Sequence, residues 1–225
     1  MQLDYYYIMR SILFDGLGRE EVEGLMGCLD PDHRLYVRGE HVFRPGERIT
    51  RFGFVLDGAI RVEAANIWGE RTLLVLAEPG KTFAEAYACA PGRPLLVDIV
   101  ADRESEVLLF DVARLMHTCP LGCERHRTAA TNFTRLLALR NIELSRRAFV
   151  TAPLTIREKV LSYLSLQATE QGGLAFDIPL NRAQMAEYLG VDRSALSAEL
   201  SRMKAEGLID YRLRHFVLSR GARVD

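Results

Sequence analysis

The stretch NRAQMAEYLGVDRSALSAELSRMKAEGL, residues 181–208, decides the reading of the last third of the chain. Asn181 is a strong helix N-cap, and Gln184, three residues on, completes a capping box. Gly190 supplies the left-handed stop after Leu189, so one short helix is bounded at both ends. Val191 fills the turn and Asp192 caps a second helix, predicted from Arg193 to about Glu206 before Gly207 ends it. Two helices joined by so short a turn form the motif that lays its second helix in the DNA major groove. Ala186 is small where the helices cross, and Met185, Leu189, Val191, Leu196, Leu200 and Met203 make a shared apolar face. Arg193, Ser194, Ser197, Ser201 and Arg202 fall on the opposite face. Arg193 and Ser194 stand in the first turn, where base edges are read and arginine can grip guanine with two hydrogen bonds. Arg182, Arg202 and Lys204 are assigned to phosphates, which position a protein without reading sequence.

Outward from this core, Leu208 to Tyr211 and His215 to Leu218 read as two short strands around a basic turn, Arg212-Leu213-Arg214, which makes a wing. From Arg193 to Arg223 there are seven Lys or Arg against three Asp or Glu. That local basic tilt matters because the whole chain, 225 residues with a formal net charge of −1, offers no electrostatic case for nucleic acid. Upstream, Thr151-Ala152-Pro153 marks a boundary, followed by a helix carrying Val160, Leu161, Leu164 and Leu166, then Gly172-Gly173 and a strand Ala175 to Ile178.

Residues 1 to about 30 read as helical, with Leu13, Phe14, Leu17, Val22, Leu25 and Met26 spaced near three and four. From His33 the texture becomes that of short strands: Leu35 to Val37, Phe52 to Leu56, Ala59 to Val62, Thr72 to Leu76, Leu95 to Val100 and Val107 to Phe110. Pro45-Gly46, Asp57-Gly58, Pro79-Gly80 and Pro91-Gly92 punctuate them, as in a sandwich, roll or jelly-roll barrel. Glu124 to Ala148 contains no Gly or Pro and reads as one long helix. Ala130, Phe133, Leu137 and Leu144 propose a seam for a twin helix, widened by Leu136, Leu139 and Ile142, and Arg140 interrupts it. The other reading is a helix buried wholly within one subunit. The expected class is α+β, with residues 1–118 an effector-sensing barrel, 119–150 a dimerisation helix and 151–225 a winged helix-turn-helix.

Hydrophobic residues at 48% and charged residues at 26% describe ordinary globular usage. No window approaches the roughly 20 apolar residues of a membrane span, and residues 1–14 are interrupted by Asp4 and Arg10, so the expectation is a soluble cytoplasmic protein without membrane contact. Four cysteines are too sparse for a disulfide framework.

The order barrel, long helix, winged helix-turn-helix resembles the Crp/Fnr superfamily, the cyclic-AMP receptor protein and fumarate-nitrate regulator group, over nearly the whole chain. Pro45-Gly46-Glu47 with Phe54 to Gly58 looks like its early barrel signature, and Pro79-Gly80 to Glu85 like its phosphate-binding cassette. The resemblance implies a bacterial transcription regulator with a cyclic-nucleotide-binding-like barrel. It further implies a homodimer on a two-fold site in double-stranded DNA, a small-molecule effector and RNA polymerase as a further partner. Departures bear on the effector. The family's cyclic-nucleotide binders carry a Gly before the cassette glutamate and an Arg-Ser pair ten and eleven residues after it; here stand Ala84, Glu85, Leu95 and Leu96. A phosphate against two leucines loses its charge-assisted partners, which disfavours cyclic AMP, although Arg93 lies close by. The expected effector pocket is therefore Phe83, Ala84, Glu85, Arg93, Leu95 and Leu96. The recognition helix departs too, with Ser194 in place of Glu and Ala198 in place of Arg. Glu199 takes a usually apolar position, so it is expected at the rim of the core or beside an arginine.

Cys119, Cys123 and His126, spaced four and three apart, would project from one helix face. Thiolate and imidazole suit zinc, haem iron or an iron-sulfur cluster, so a metal- or redox-responsive version of the regulator is the alternative. Simple packing of thiols is the plainer one. No enzyme is expected, because no nucleophile, base and orienting group converge. A further rival is a small-molecule-sensing module that passes its signal to protein partners without touching DNA.

Overall fold

The computed structural model describes residues 5–116 and 123–219. It divides into two units, residues 1–139 and 140–225, so the long helix belongs in part to each rather than standing alone.

The first unit opens with two single 3₁₀ turns, Ile8–Arg10 and Ile12–Phe14, before helix α1, Arg19–Leu29. The N-terminal periodicity thus marks buried side chains, Ile8, Leu13, Phe14, Val22 and Leu25, but Gly16 at φ 78° breaks the helix expected over the whole stretch. Strands β1 (Asp32–Tyr36), β2 (His41–Phe43), β3 (Arg51–Asp57), β4 (Ile60–Ala65), β5 (Arg71–Ala77) and β6 (Thr82–Phe83) follow. The short helix α2 (Glu85–Ala88) precedes β7 (Asp98–Ala101), β8 (Ser105–Asp111) and helix α3 (Val112–Met116). They form two antiparallel four-stranded sheets, ordered β1-β8-β3-β6 and β2-β7-β4-β5. Strands β2 and β6 are too short to show a period, which is why hydrophobic patterning missed them. Leu95 lies ahead of β7 rather than in it. Edge strand β5 exposes Leu73, Leu74, Val75 and Leu76, so its apolar run reflects edge position, not burial.

Residues of both sheets share one core with α1 and the start of helix α4, Glu124–Thr151. At its centre Phe52 stacks on Phe110 at 5.5 Å and on Phe133 of α4 at 4.7 Å, while Phe14 meets Phe54 edge-on. Each such ring contributes about 1.5–3 kcal/mol by burial. Gly53 makes room for the buried Phe83 in the same core: a Cβ there would lie 2.0 Å from the Phe83 ring.

The second unit contains the end of α4, helix α5 (Ile156–Gln171), strand β9 (Ala175–Asp177), helices α6 (Arg182–Leu189) and α7 (Arg193–Ala205), and strands β10 (Ile209–Arg212) and β11 (His215–Leu218). Thr155 caps α5 in a capping box with Glu158, and Gly172 closes it in the left-handed region. Strand β11 lies between β10 and β9, so the wing is a three-stranded sheet. Val150, Leu164, Met185, Leu196, Leu200 and Phe216 are among its fully buried side chains. No helix among the described residues is long and apolar enough to cross a membrane.

Candidate nucleic-acid interface

Helix α6 begins as its sequence dictates. The Asn181 side chain accepts from the Ala183 and Gln184 amides, both at 3.0 Å, and Gln184 returns a bond to the Asn181 amide at 2.9 Å. Gly190, at φ 63°, ends it. Asp192 then accepts from the Ala195 amide at 2.9 Å and bonds the Ser194 hydroxyl. Asn181→Ala is expected to destabilise the C-terminal unit by about 1 kcal/mol, seen as a lower urea midpoint by circular dichroism, whereas an unchanged midpoint would show the cap to be idle.

Between these caps α7 presents Arg193, Ser194, Ser197, Ala198, Ser201 and Arg202 to solvent. The Ser197 and Ser201 hydroxyls donate to carbonyls one turn back, Arg193 and Ser197, both at 2.9 Å. Their oxygens are left outward as acceptors.

The basic residues divide into two groups. Arg193, Arg212 and Arg214 are exposed and, among the described residues, make no internal hydrogen bond or ion pair through their guanidinium groups. The three residues assigned from sequence to phosphates each have a partner within the fold. Arg182 lies half-buried with its guanidinium 4.9 Å from the Tyr211 ring centre and 5.5 Å from that of Phe216, and burial lowers its pKa. It braces the wing by cation–π contact. Lys204 pairs with Asp210 at 2.5 Å and donates to the Tyr211 carbonyl at 3.3 Å. Arg202 pairs with Glu199 at 2.8 Å.

Glu199 is 6% exposed on α7, and its second oxygen accepts from Arg157 of α5 at 2.7 Å. Arg157 in turn forks onto Glu206 with two bonds of 2.8 and 2.7 Å, and these bonds raise its pKa. Sequence anticipated an arginine beside Glu199 but not Arg157, 42 positions away. The only signal was an acid at an otherwise apolar helix position, which demands a cation.

Four carboxylates of this unit are held below their ordinary pKa: Glu158 by its capping-box bonds to Thr155, Asp192 by the Ser194 hydroxyl and then the Ala195 amide, Glu206 by Arg157, and Asp210 by Lys204. A depressed folded-state pKa means that the stabilisation is complete above the unfolded value, near 4, and is lost as pH falls through the folded value. The C-terminal unit is therefore expected to lose stability below about pH 4. A urea midpoint independent of pH between 5 and 3 would contradict this.

The wing hairpin turns through Leu213 and Arg214, because Arg212 pairs with His215. A cleft of about 650 Å³ separates this turn from Asn181 and Arg182. The wing is tied to β9 by the Ile178 amide, which donates to the Arg214 carbonyl at 2.9 Å, and by His215 with Asp177 at 3.2 Å.

The residues expected to line an effector pocket differ widely in burial. Phe83 and Leu95 are 2% and 1% exposed in the core, and Leu95 is tied through its backbone to Glu47 and Gly46. Leu96 is 74% exposed, Arg93 lies at the surface, and the buried Glu85 carboxylate bonds Thr82. Ala84 sits in the left-handed region at φ 66°. Leu95 and Leu96 offer neither a cation nor a hydroxyl, so these two side chains give a cyclic phosphate no charge-assisted partner.

On α4, Phe133 is fully buried and Leu137 packs on the same core, with Ala130 half-buried. Phe133 and Leu137 of the expected seam therefore serve the barrel's own packing, whereas Ala130 and Leu144 are not part of that core. Leu144 is exposed, as are Leu139, Ile142 and Phe149, the last three sharing a face at spacings of three and seven. Of the thiol cluster, Cys119 lies outside the described residues. Cys123 is half-exposed, and His126, 6% exposed, bonds the Arg114 carbonyl through Nε2 at 2.7 Å, with its Nδ1 buried and unpartnered. Among the described residues no three His, Cys, Asp or Glu side chains are grouped to hold a metal.

Comparison with known proteins agrees with this layout. Residues 158–222 match the Crp-like helix-turn-helix domain and residues 33–119 the cyclic nucleotide-binding domain. The chain is 34% identical over 209 residues to the transcriptional activator protein FnrL of Cereibacter sphaeroides, covering 85% of this chain and 78% of that protein. It is 28% identical over 206 residues to the cyclic AMP receptor protein of Thermus thermophilus, covering 88% of each. Among solved structures, the catabolite activator protein of Thermus thermophilus superposes with a TM-score of 0.51 at 24% identity, covering 94% of this chain and 95% of that one. The c-di-GMP-responsive regulator CLP of Xanthomonas campestris gives 0.51 at 19%, covering 90% and 100%. These structural likenesses speak for the fold.

Proposed function

Because the chain belongs to the Crp/Fnr family of DNA-binding transcription regulators, and so is no enzyme, we propose that it acts in the cytoplasm as a homodimer on a two-fold operator, under an effector other than a cyclic nucleotide. The observation that carries the DNA reading is the set of uncommitted arginines: Arg193 at the start of α7, and Arg212 and Arg214 on the wing. An arginine without an internal acid keeps its full charge for phosphate or guanine. Pairing through the exposed α4 face of Leu139, Ile142 and Phe149 would bring two reading heads onto one duplex. The effector reading is supported by Leu95 in the core and Leu96 in solvent, where a cyclic phosphate needs a cation and a hydroxyl.

The test is fluorescence anisotropy with a labelled random-sequence duplex at stepped salt, together with sedimentation of the free protein. Wild type should bind with a steep salt dependence and sediment as a dimer. The triple variant Arg193→Glu, Arg212→Glu, Arg214→Glu should lose binding while keeping its circular dichroism. Undiminished affinity in that variant would overturn the DNA reading. Cyclic AMP and cyclic GMP should leave the melting temperature unchanged.

One observation favours a second reading of the signal. The buried, unpartnered Nδ1 of His126 carries a lone pair when Nε2–H donates to the Arg114 carbonyl, as a metal ligand would. With Cys123 and Cys119 it would give a metal, haem or redox response at the root of α4. Metal analysis and visible absorption of anaerobically prepared protein decide this, since a colourless, metal-free dimer would remove it.

A further inference from the structure

Leu213 at the tip of the wing is strained, and its exposed side chain receives little in return from the chain itself. In the two-residue turn between Arg212 and His215, Leu213 takes the first position at φ 56°. Glycine, asparagine or aspartate suits that left-handed conformation; leucine does so rarely, because its Cβ crowds the backbone. A buried leucine could offset the strain by packing, but this one is 85% exposed. On both sides of it stand exposed arginines, Arg212 and Arg214, with no internal partner among the described residues. The arm that carries them is stiff: Arg182 lies against Tyr211 and Phe216, Lys204 holds Asp210, and the Arg214 carbonyl accepts from Ile178 at 2.9 Å. A strained, apolar, cation-flanked tip on a braced hairpin is built to meet something outside the chain.

We propose that Arg212-Leu213-Arg214 reads the minor groove beside the segment held by α7. There the two guanidinium groups occupy the groove and Leu213 presses on its sugar and base edges, favouring A·T-rich flanks. This rests on the DNA reading given above. A narrow A·T minor groove concentrates negative potential and draws arginine in, whereas the guanine 2-amino group obstructs the floor of G·C steps. Apolar side chains are the usual wedges in such contacts. Simple phosphate contacts would be indifferent to the groove floor.

Inosine separates these cases, because an inosine–cytosine pair lacks the 2-amino group and keeps the major-groove pattern of guanine. The full-length protein is titrated by anisotropy against one G·C-rich duplex and its inosine counterpart at fixed salt. Wild type should prefer the inosine duplex by roughly fivefold or more. The double variant Arg212→Ala, Arg214→Ala should bind both duplexes alike. Leu213→Gly should raise the melting temperature by relieving the turn while lowering affinity for the inosine duplex, opposite signs that a merely structural residue does not give. Equal wild-type binding to both duplexes overturns the minor-groove assignment while leaving DNA binding intact. Wild-type affinity in Leu213→Gly removes the leucine from it, and binding to neither duplex overturns both readings.

Discussion

Arg193→Ala is expected to weaken binding to the preferred operator by about 1–3 kcal/mol, roughly five- to 150-fold, with little change in the thermal midpoint. Arg193 is exposed at the first turn of α7, and among the described residues no acid holds its guanidinium. Its neighbours on the reading face are short: Ser194 is bonded to Asp192, and Ser197, Ala198 and Ser201 reach little beyond the helix surface. Arg202 on the same face is already paired with Glu199, so among the described residues Arg193 is the long cation of this face that no acid engages, and its loss should remove most of the base discrimination the face can supply. Affinity is to be measured on an operator recovered by selection from random duplexes, and on a mismatched duplex beside it. The wild-type preference between the two should collapse in the variant. An equal loss on both duplexes would instead make Arg193 a phosphate contact.

Gly58→Ala is expected to remove about 3 kcal/mol or more from the barrel unit. Gly58 closes the β3–β4 turn at φ 85°, where an L side chain is strained. A Cβ would also lie 2.3 Å from the Glu104 carbonyl and 2.6 Å from Ser105 Cα, both backbone atoms that cannot swing aside. Ser105 is itself pinned, its hydroxyl accepting from the Ala59 amide at 3.0 Å and placing its one proton within reach of the Arg103 carbonyl at 2.8 Å and the Ala59 carbonyl at 3.1 Å. Gly46 makes the comparison: its φ is 88°, yet a Cβ there would meet nothing within 4 Å. Gly46→Ala should therefore cost only about 1 kcal/mol, from conformation alone. Urea midpoints followed by circular dichroism would rank the two, and equal midpoints would show that the crowding at Gly58 is relieved by backbone shift.

What the chain discloses before folding depends on the distance over which its determinants act. Helices α6 and α7 were legible nearly to the residue because their caps are local: Asn181 with Gln184, Gly190, Asp192. The wing strands followed from two short runs set around a basic turn. Strands β2 and β6 escaped because three and two residues cannot display a period. The site was half-legible. That α7 and the wing are basic was plain, but which cations remain uncommitted depends on partners distant in sequence. Arg182 meets Tyr211 and Phe216, Arg202 meets a glutamate already shared with Arg157, and Lys204 meets Asp210. Phe133 shows the same limit on α4, since its spacing fits a dimer seam equally well, and only the Phe52 ring assigns it to the barrel.

The Arg157–Glu199–Arg202 linkage sets a rule for engineering. A recognition helix is often treated as an exchangeable cassette, moved between relatives to rewrite operator choice. Here α7 is not self-contained, because its buried carboxylate is neutralised from α5. A graft that brings in an apolar residue at position 199 leaves Arg157 with Glu206 alone, and a graft of α7 into a scaffold lacking Arg157 buries an acid with half its partners gone. An exchange of α7 in this chain therefore involves α5 as well, and a library built to vary α7 should vary positions 157 and 199 together.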